Sequence, residues 1–147
     1  MAAKEDIDFT YTVLDKIFRL SIGEMADFSG ARYNGDFSQT LEAAQTAKHR
    51  FMAEQCGIKK GSRVLDMGCG WGPFLNYAMA LGATAKGLTL SDGQYKACKK
   101  NGFDVSLKDV RTVTPADYGM FDAVVSVGAF EHFCSLEEYQ QGKQEKI

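Results

Sequence analysis

Apolar residues in the N-terminal third of the chain recur at helical intervals. Ile7, Tyr11, Leu14, Ile17, Phe18 and Ser21 fall on one face at 3.6 spacing, which predicts a first helix. A second helix is predicted over residues 41–56. Ser38 or Thr40 can cap it, Gly57 stops it, and Leu41, Ala44 and Phe51 mark its core side. From Arg63 onward the apolar residues fall in short runs instead. Residues 63–67 predict a first strand, 84–90 a second and 104–108 a third. Residues 121–127 predict a fourth, nearly continuous in apolar residues as a buried parallel strand is. Ser135-Leu136-Glu137-Glu138 reads as a capping box opening a helix that runs to Ile147.

The first strand runs straight into Asp66-Met67-Gly68-Cys69-Gly70-Trp71-Gly72-Pro73. A carboxylate inside an apolar strand is costly to bury and so points to a ligand. Gly68, Gly70 and Gly72 free the backbone for left-handed angles and for close approach of a ligand. Pro73 suits the first turn of a helix, where its missing N–H has no partner to lose. Strand, glycine turn and helix N-terminus together form a cofactor cradle. The spacing is D-x-G-x-G-x-G, with Pro73 where a dinucleotide fingerprint needs its third glycine. No Gly-Lys-Ser/Thr follows, so a phosphate-binding loop is excluded as well.

Composition narrows the function. A chain of 147 residues, 45% hydrophobic, is one domain's worth of core. Residues 1–57 form a helical cap and residues 58–147 the cofactor-binding core. Net charge is −2, and the pairs Lys59-Lys60 and Lys99-Lys100 make no nucleic-acid footprint. Cys56, Cys69, Cys98 and Cys134 lie far apart with no metal-ligand or disulfide spacing, which fits a reducing cytoplasm and no metal. No run is long and apolar enough for a signal peptide or membrane span.

The glycine pattern resembles motif I of the class I S-adenosylmethionine (SAM) methyltransferases. Three further segments resemble, in register, the branch of cyclopropane-fatty-acid synthases and mycolic acid methyltransferases. They are Thr40-Leu41-Glu42-Ala43-Ala44-Gln45, Thr89-Leu90-Ser91-x-x-Gln94 and Ser126-Val127-Gly128-x-Phe130-Glu131-His132. The resemblance implies an α/β, Rossmann-like parallel sheet of order 3-2-1-4 under the helical cap, with SAM as cofactor. It implies that Asp66, Gly68, Cys69 and Gly70 hold the methionine part. Thr89, Leu90 and Gln94 are implied at the ribose, Asp109 and Val110 at the adenine, and Ser29 with Tyr33 as further contacts. Asp92 competes with Gln94 for the ribose, lying about 20 residues past the glycines as a dinucleotide enzyme's acid does. Gln94 is preferred, with Asp92 a first-turn helix residue favoured by the macrodipole.

Glu131 and His132 follow the fourth strand and are the candidates to take a proton from the acceptor. Methyl transfer from a sulfonium is a displacement in which alignment supplies much of the rate. The expected acceptor is a small or lipid-like molecule. Ring closure on an alkene is the alternative, but Gly30 stands where the resembled branch has a cysteine beside its bicarbonate. The resembled fold has three more strands than can be found here. The fourth strand is therefore expected to be a long apolar edge, covered by a second copy of the chain. A SAM-binding module without turnover is the other class of function.

Overall fold

The computed structural model describes residues 4–134 and 136–142, with the side chains of residues 4–7 and Glu131 outside that set. Helix α1 (Lys4–Ile22) and helix α2 (Leu41–Gln55) precede the sheet. Then β1 (Arg63–Met67), α3 (Pro73–Ala80), β2 (Thr84–Thr89), α4 (Asp92–Lys100) and β3 (Asp104–Leu107) alternate. A short 3-10 turn (Val110–Thr112), α5 (Pro115–Tyr118) and β4 (Ala123–Val125) follow. A second 3-10 turn (Phe130–His132) leads to α6 (Leu136–Gln140).

The strands pair in parallel in the order β3-β2-β1-β4, as the resemblance implies. Asp66 sits opposite Gly87 on one side and Val125 on the other. Val64, Leu75, Cys98, Phe103 and Val105 join β1, α3, α4 and β3 in one core. Order 3-2-1-4 places the topological switch between β1 and β4, where ligands of such sheets bind.

β1 spans its predicted residues, whereas β2 and β3 each stop one residue early and β4 is the most shortened. Polar side chains take over where its ladder stops. Asp122 accepts the Arg63 N–H at 2.7 Å, and Ser126 donates to the Met67 carbonyl at 2.8 Å. The expected long apolar edge is thus three residues, with Val124 half-exposed. Helix α6 stops at Gln140 and a turn follows, short of the predicted run. Ser135, the expected cap, and residues 143–147 lie outside the described residues.

Each N-terminal helix buries only part of the face its hydrophobic spacing predicts, Tyr11, Leu14 and Phe18 in α1 and Ala44 in α2, and turns the rest outward. In α1, Ile17 and Ser21 are exposed, and the side chain of Ile7 lies outside the described set. Tyr11, Phe18 and Ile22 pack on the buried Trp71, whose indole N–H donates to Asp15. That bond sets the rotation of the helix, because Ile17 lies two residues from Asp15 and so on the opposite side. In α2, Leu41 and Phe51 are partly exposed, while Ala44, Gln45, Lys48, His49 and Ala53 are buried. Phe51 lies outside under the Arg32 guanidinium, 3.6 Å from its ring centre. Thr40 caps α2 through its side chain, and Gly57 follows its end at φ +63.

Candidate functional site

The carboxyl ends of the strands and the strap of residues 26–30 enclose a cavity of about 490 Å³. Asp66 lines it from the end of β1 and is only 4% exposed. No donor or cation among the described residues pairs with its carboxylate. Burial therefore pushes its pKa up to about 7. A buried acid with nothing to neutralise it, facing a cavity, is suited to a ligand's cation.

The glycine turn divides its work among its members. Gly68, Gly70 and Gly72 all have positive φ. A Cβ on Gly68 would come within 2.3 Å of the Ala129 Cβ, and one on Gly72 within 2.6 Å of the Phe103 ring. Those two glycines let neighbouring chain pack closely. A Cβ on Gly70 would meet nothing within 4 Å, and only this glycine opens directly to free space. The Gly68 and Cys69 amides donate to the Leu88 carbonyl at 3.0 and 2.9 Å, which ties the turn to β2. Cys69 borders the cavity, but its thiol lies beneath the turn, 3.8 Å from the Gly70 carbonyl. The neighbouring Cys98 thiol, burial and the Asp66 charge raise its pKa well above the usual thiol range.

Thr89, Leu90 and Gln94 line the cavity beyond β2. Thr89 donates its hydroxyl to Gln94 Oε1 at 2.7 Å, which turns the Gln94 amide nitrogen away as a donor without a partner among the described residues. Asp92 does not line the cavity. Its carboxylate pairs with Lys96 in the first turn of α4. Asp109 and Val110 line the far end, where Asp109 is bound by the Arg111 guanidinium and Arg111 reaches on to Glu138.

On the strap, Ser29 and Gly30 line the cavity. Tyr33 does not; its ring stacks on Phe37 at 5.4 Å. His132 borders the cavity from the 3-10 turn after β4. Glu131 belongs to the same turn, and its side chain lies outside the described set.

Sequence reasoning missed the wall opposite. Gln45 donates to the carbonyls of Asp27 and Ser29, both at 2.8 Å. Lys48 donates to Asp27 Oδ1 at 2.7 Å and to Ser29 Oγ at 2.6 Å. His49 Nε2 lies 3.0 Å from Asp27 Oδ2, close to it but not aligned as a hydrogen bond. Burial alone would raise the Asp27 pKa, but His49, Lys48 and Ser29 together bring it down to about 2. The only sequence signal was polar residues at 45, 48 and 49, one helical face, which pattern alone assigns to solvent.

A four-stranded parallel sheet of this order, with a buried acid and a glycine turn at its switch point, defines a Rossmann-like α/β fold. Mycolic acid cyclopropane synthase CmaA1, solved with SAH and CTAB, superposes with a TM-score of 0.81 over 95% of this chain and 50% of that one, at 29% identity. Coclaurine N-methyltransferase shares the fold, with a TM-score of 0.66 and 18% identity over 90% of this chain and 44% of that one. The chain belongs to the mycolic acid cyclopropane synthetase family, whose sequence model matches residues 1–144. Cyclopropane mycolic acid synthase MmaA2 of Mycobacterium tuberculosis is 35% identical over 134 residues, 88% of this chain and 46% of that protein. Cyclopropane-fatty-acyl-phospholipid synthase of Escherichia coli is 40% identical over 100 residues, 65% of this chain and 25% of its own. The chain thus spans between a quarter and about half of these relatives' lengths. Among the described residues no helix is long and apolar enough to cross a membrane, and no cluster of side chains is placed to hold a metal.

Proposed function

We propose that the chain binds S-adenosyl-L-methionine in this cavity and serves methyl transfer to a lipid-like acceptor. The observation that carries the reading is Asp66, a buried carboxylate without a partner, set beside the open Gly70. A ligand with an ammonium and no phosphate fits that pair. Asp66 would take the amino group, Gly68, Cys69 and Gly70 the methionine part, Thr89, Leu90 and Gln94 the ribose, and Asp109 with Val110 the adenine. Ser29 closes the strap side. Tyr33, standing off the cavity, has the weakest structural support of this set.

When bound, the cofactor supplies an electrophilic methyl group on sulfur. The protein's own part is to align the acceptor, exclude water and remove a proton where the acceptor carries one. We assign that last task to His132 and Glu131, which belong to the turn after β4. Gly30 offers no thiol where the resembled branch has its cysteine, which favours methylation over ring closure. The relatives named for lipid and mycolic acid substrates favour a lipid acceptor over a small polar one.

Methyl-labelled SAM incubated with the chain and vesicles of unsaturated phospholipid, or with amines, phenols and carboxylates, tests the reading. Label in methylated lipid supports it. Absence of any calorimetric binding of S-adenosylhomocysteine refutes it, and binding without turnover leaves a cofactor module. The half-exposed Val124 fits the expected cover of β4 by a second copy, and a monomer by light scattering at micromolar concentration refutes that cover. The four thiols are all free, which fits a reducing compartment.

A further inference from the structure

We infer that Lys48 is the counter-charge for the carboxylate of the cofactor's amino-acid part, completing with Asp66 a two-ended clamp on a zwitterion. The inference rests on the cofactor reading above and goes beyond it to a residue on another element.

A lysine ammonium has three donors. Lys48 gives two, to Asp27 and Ser29, and no third acceptor occurs among the described residues. The side chain is nine-tenths buried and lines the cavity. Burying a lysine with a donor unused is costly unless something else meets it.

Contacts place Lys48 at the same end of the cavity as Asp66. Ser29, its hydroxyl partner, faces Gly128 just beyond β4, 4.0 Å from where a Cβ would stand. Ala129, the next residue, fills the space left by Gly68. His49, adjacent on α2, packs on Phe74 in the first turn of α3, with ring centres 5.7 Å apart. The wall holding Lys48 therefore closes over the glycine turn. The other lysine and arginine of the cavity are engaged at its far end, Lys108 with Asp117 and Arg111 with Asp109 and Glu138. Lys48 is thus the cation that a carboxylate bound next to the Asp66 partner would meet. Asp27 and Ser29 hold the Lys48 side chain in place, and Gln45 fixes the strap that carries both.

The test compares two ligands that differ only in this carboxylate, SAM and its decarboxylated analogue, by calorimetry on the full chain. The wild type is expected to prefer SAM by roughly ten- to hundredfold, the scale of a charge-assisted hydrogen bond. Lys48→Met is expected to lose that preference while keeping affinity for the decarboxylated ligand. Because Lys48→Met leaves Asp27 buried without its cation, Asp27→Asn/Lys48→Met is measured beside it, with circular dichroism confirming the fold. Asp27→Asn alone keeps the ammonium and is expected to keep the preference. Equal losses for both ligands on removing Lys48, or no preference in the wild type, overturn the inference alone. Failure of the wild type to bind either ligand overturns the cofactor reading and the inference with it.

Discussion

Asp66→Asn is expected to stabilise the unliganded protein and to weaken its grip on the cofactor. The carboxylate has an ordinary pKa of 3.8 and is held at about 7 in the fold, through burial. A carboxyl raised in this way binds protons more tightly folded than unfolded. Stability therefore falls as pH climbs from about 4 to about 7 and is level above. The gap from 3.8 to about 7 corresponds to about 4 kcal/mol at 1.36 kcal/mol per pH unit. Asparagine has nearly the same shape and no charge to bury. Urea unfolding of both proteins at pH 4 and pH 8 isolates the term. The variant's advantage is expected to be small at pH 4 and to reach 1 to about 4 kcal/mol at pH 8. Calorimetry with S-adenosylhomocysteine at pH 8 is expected to show the variant roughly ten- to hundredfold weaker, the loss of one charge-assisted hydrogen bond. A variant less stable than the wild type at pH 8, or an advantage that does not grow with pH, refutes the burial account. Unchanged affinity refutes the role in binding.

Gly68→Ala is expected to cost about 2–4 kcal/mol, from left-handed strain plus the clash with Ala129, whereas Gly70→Ala costs only the strain, about 1–2 kcal/mol, and shows its main effect as weaker cofactor binding; urea midpoints and calorimetry separate the two. Trp71→Phe removes the indole donor from Asp15 and is expected to cost about 1–3 kcal/mol, with amide exchange rising along α1 before the sheet. Asp27 sits at about 2, below its ordinary value, so its stabilisation is present above about pH 4 and fades as pH falls through 2. Asp27→Asn is therefore expected to be less stable than the wild type by about 2 kcal/mol at pH 7 and level with it near pH 2, read by acid unfolding.

Much of the cavity's lining was legible because it is local in the chain. Asp66 through Pro73 carry strand, turn and helix start in one short run, and Thr89 through Gln94 do the same after β2. The cap was less legible because its orientation is set by contacts distant in sequence. Nothing in α1 alone says that Asp15 must face Trp71, so hydrophobic spacing alone puts Ile17 inside. Nothing in α2 alone says that Gln45, Lys48 and His49 face inward, because their partners lie on the strap some 16 to 21 residues earlier. Hydrophobic periodicity finds a buried face when burial is apolar. It misreads one built from hydrogen bonds and charge.

The two carboxylates of the cavity show why that polar wall matters. Asp27 and Asp66 are both removed from water, yet one is held at about 2 and the other at about 7. The difference is supplied by neighbours: Asp27 has Lys48, His49 and Ser29, while Asp66 has burial and no cation or donor among the described residues. A site built purely for stability would neutralise both. Leaving Asp66 alone, while giving Asp27 a lysine that keeps one donor unused, sets one uncompensated negative group and one incompletely satisfied positive group at the same end of one cavity. A ligand carrying an ammonium and a carboxylate on a single carbon would satisfy both at once, and a ligand carrying either charge alone would satisfy only one.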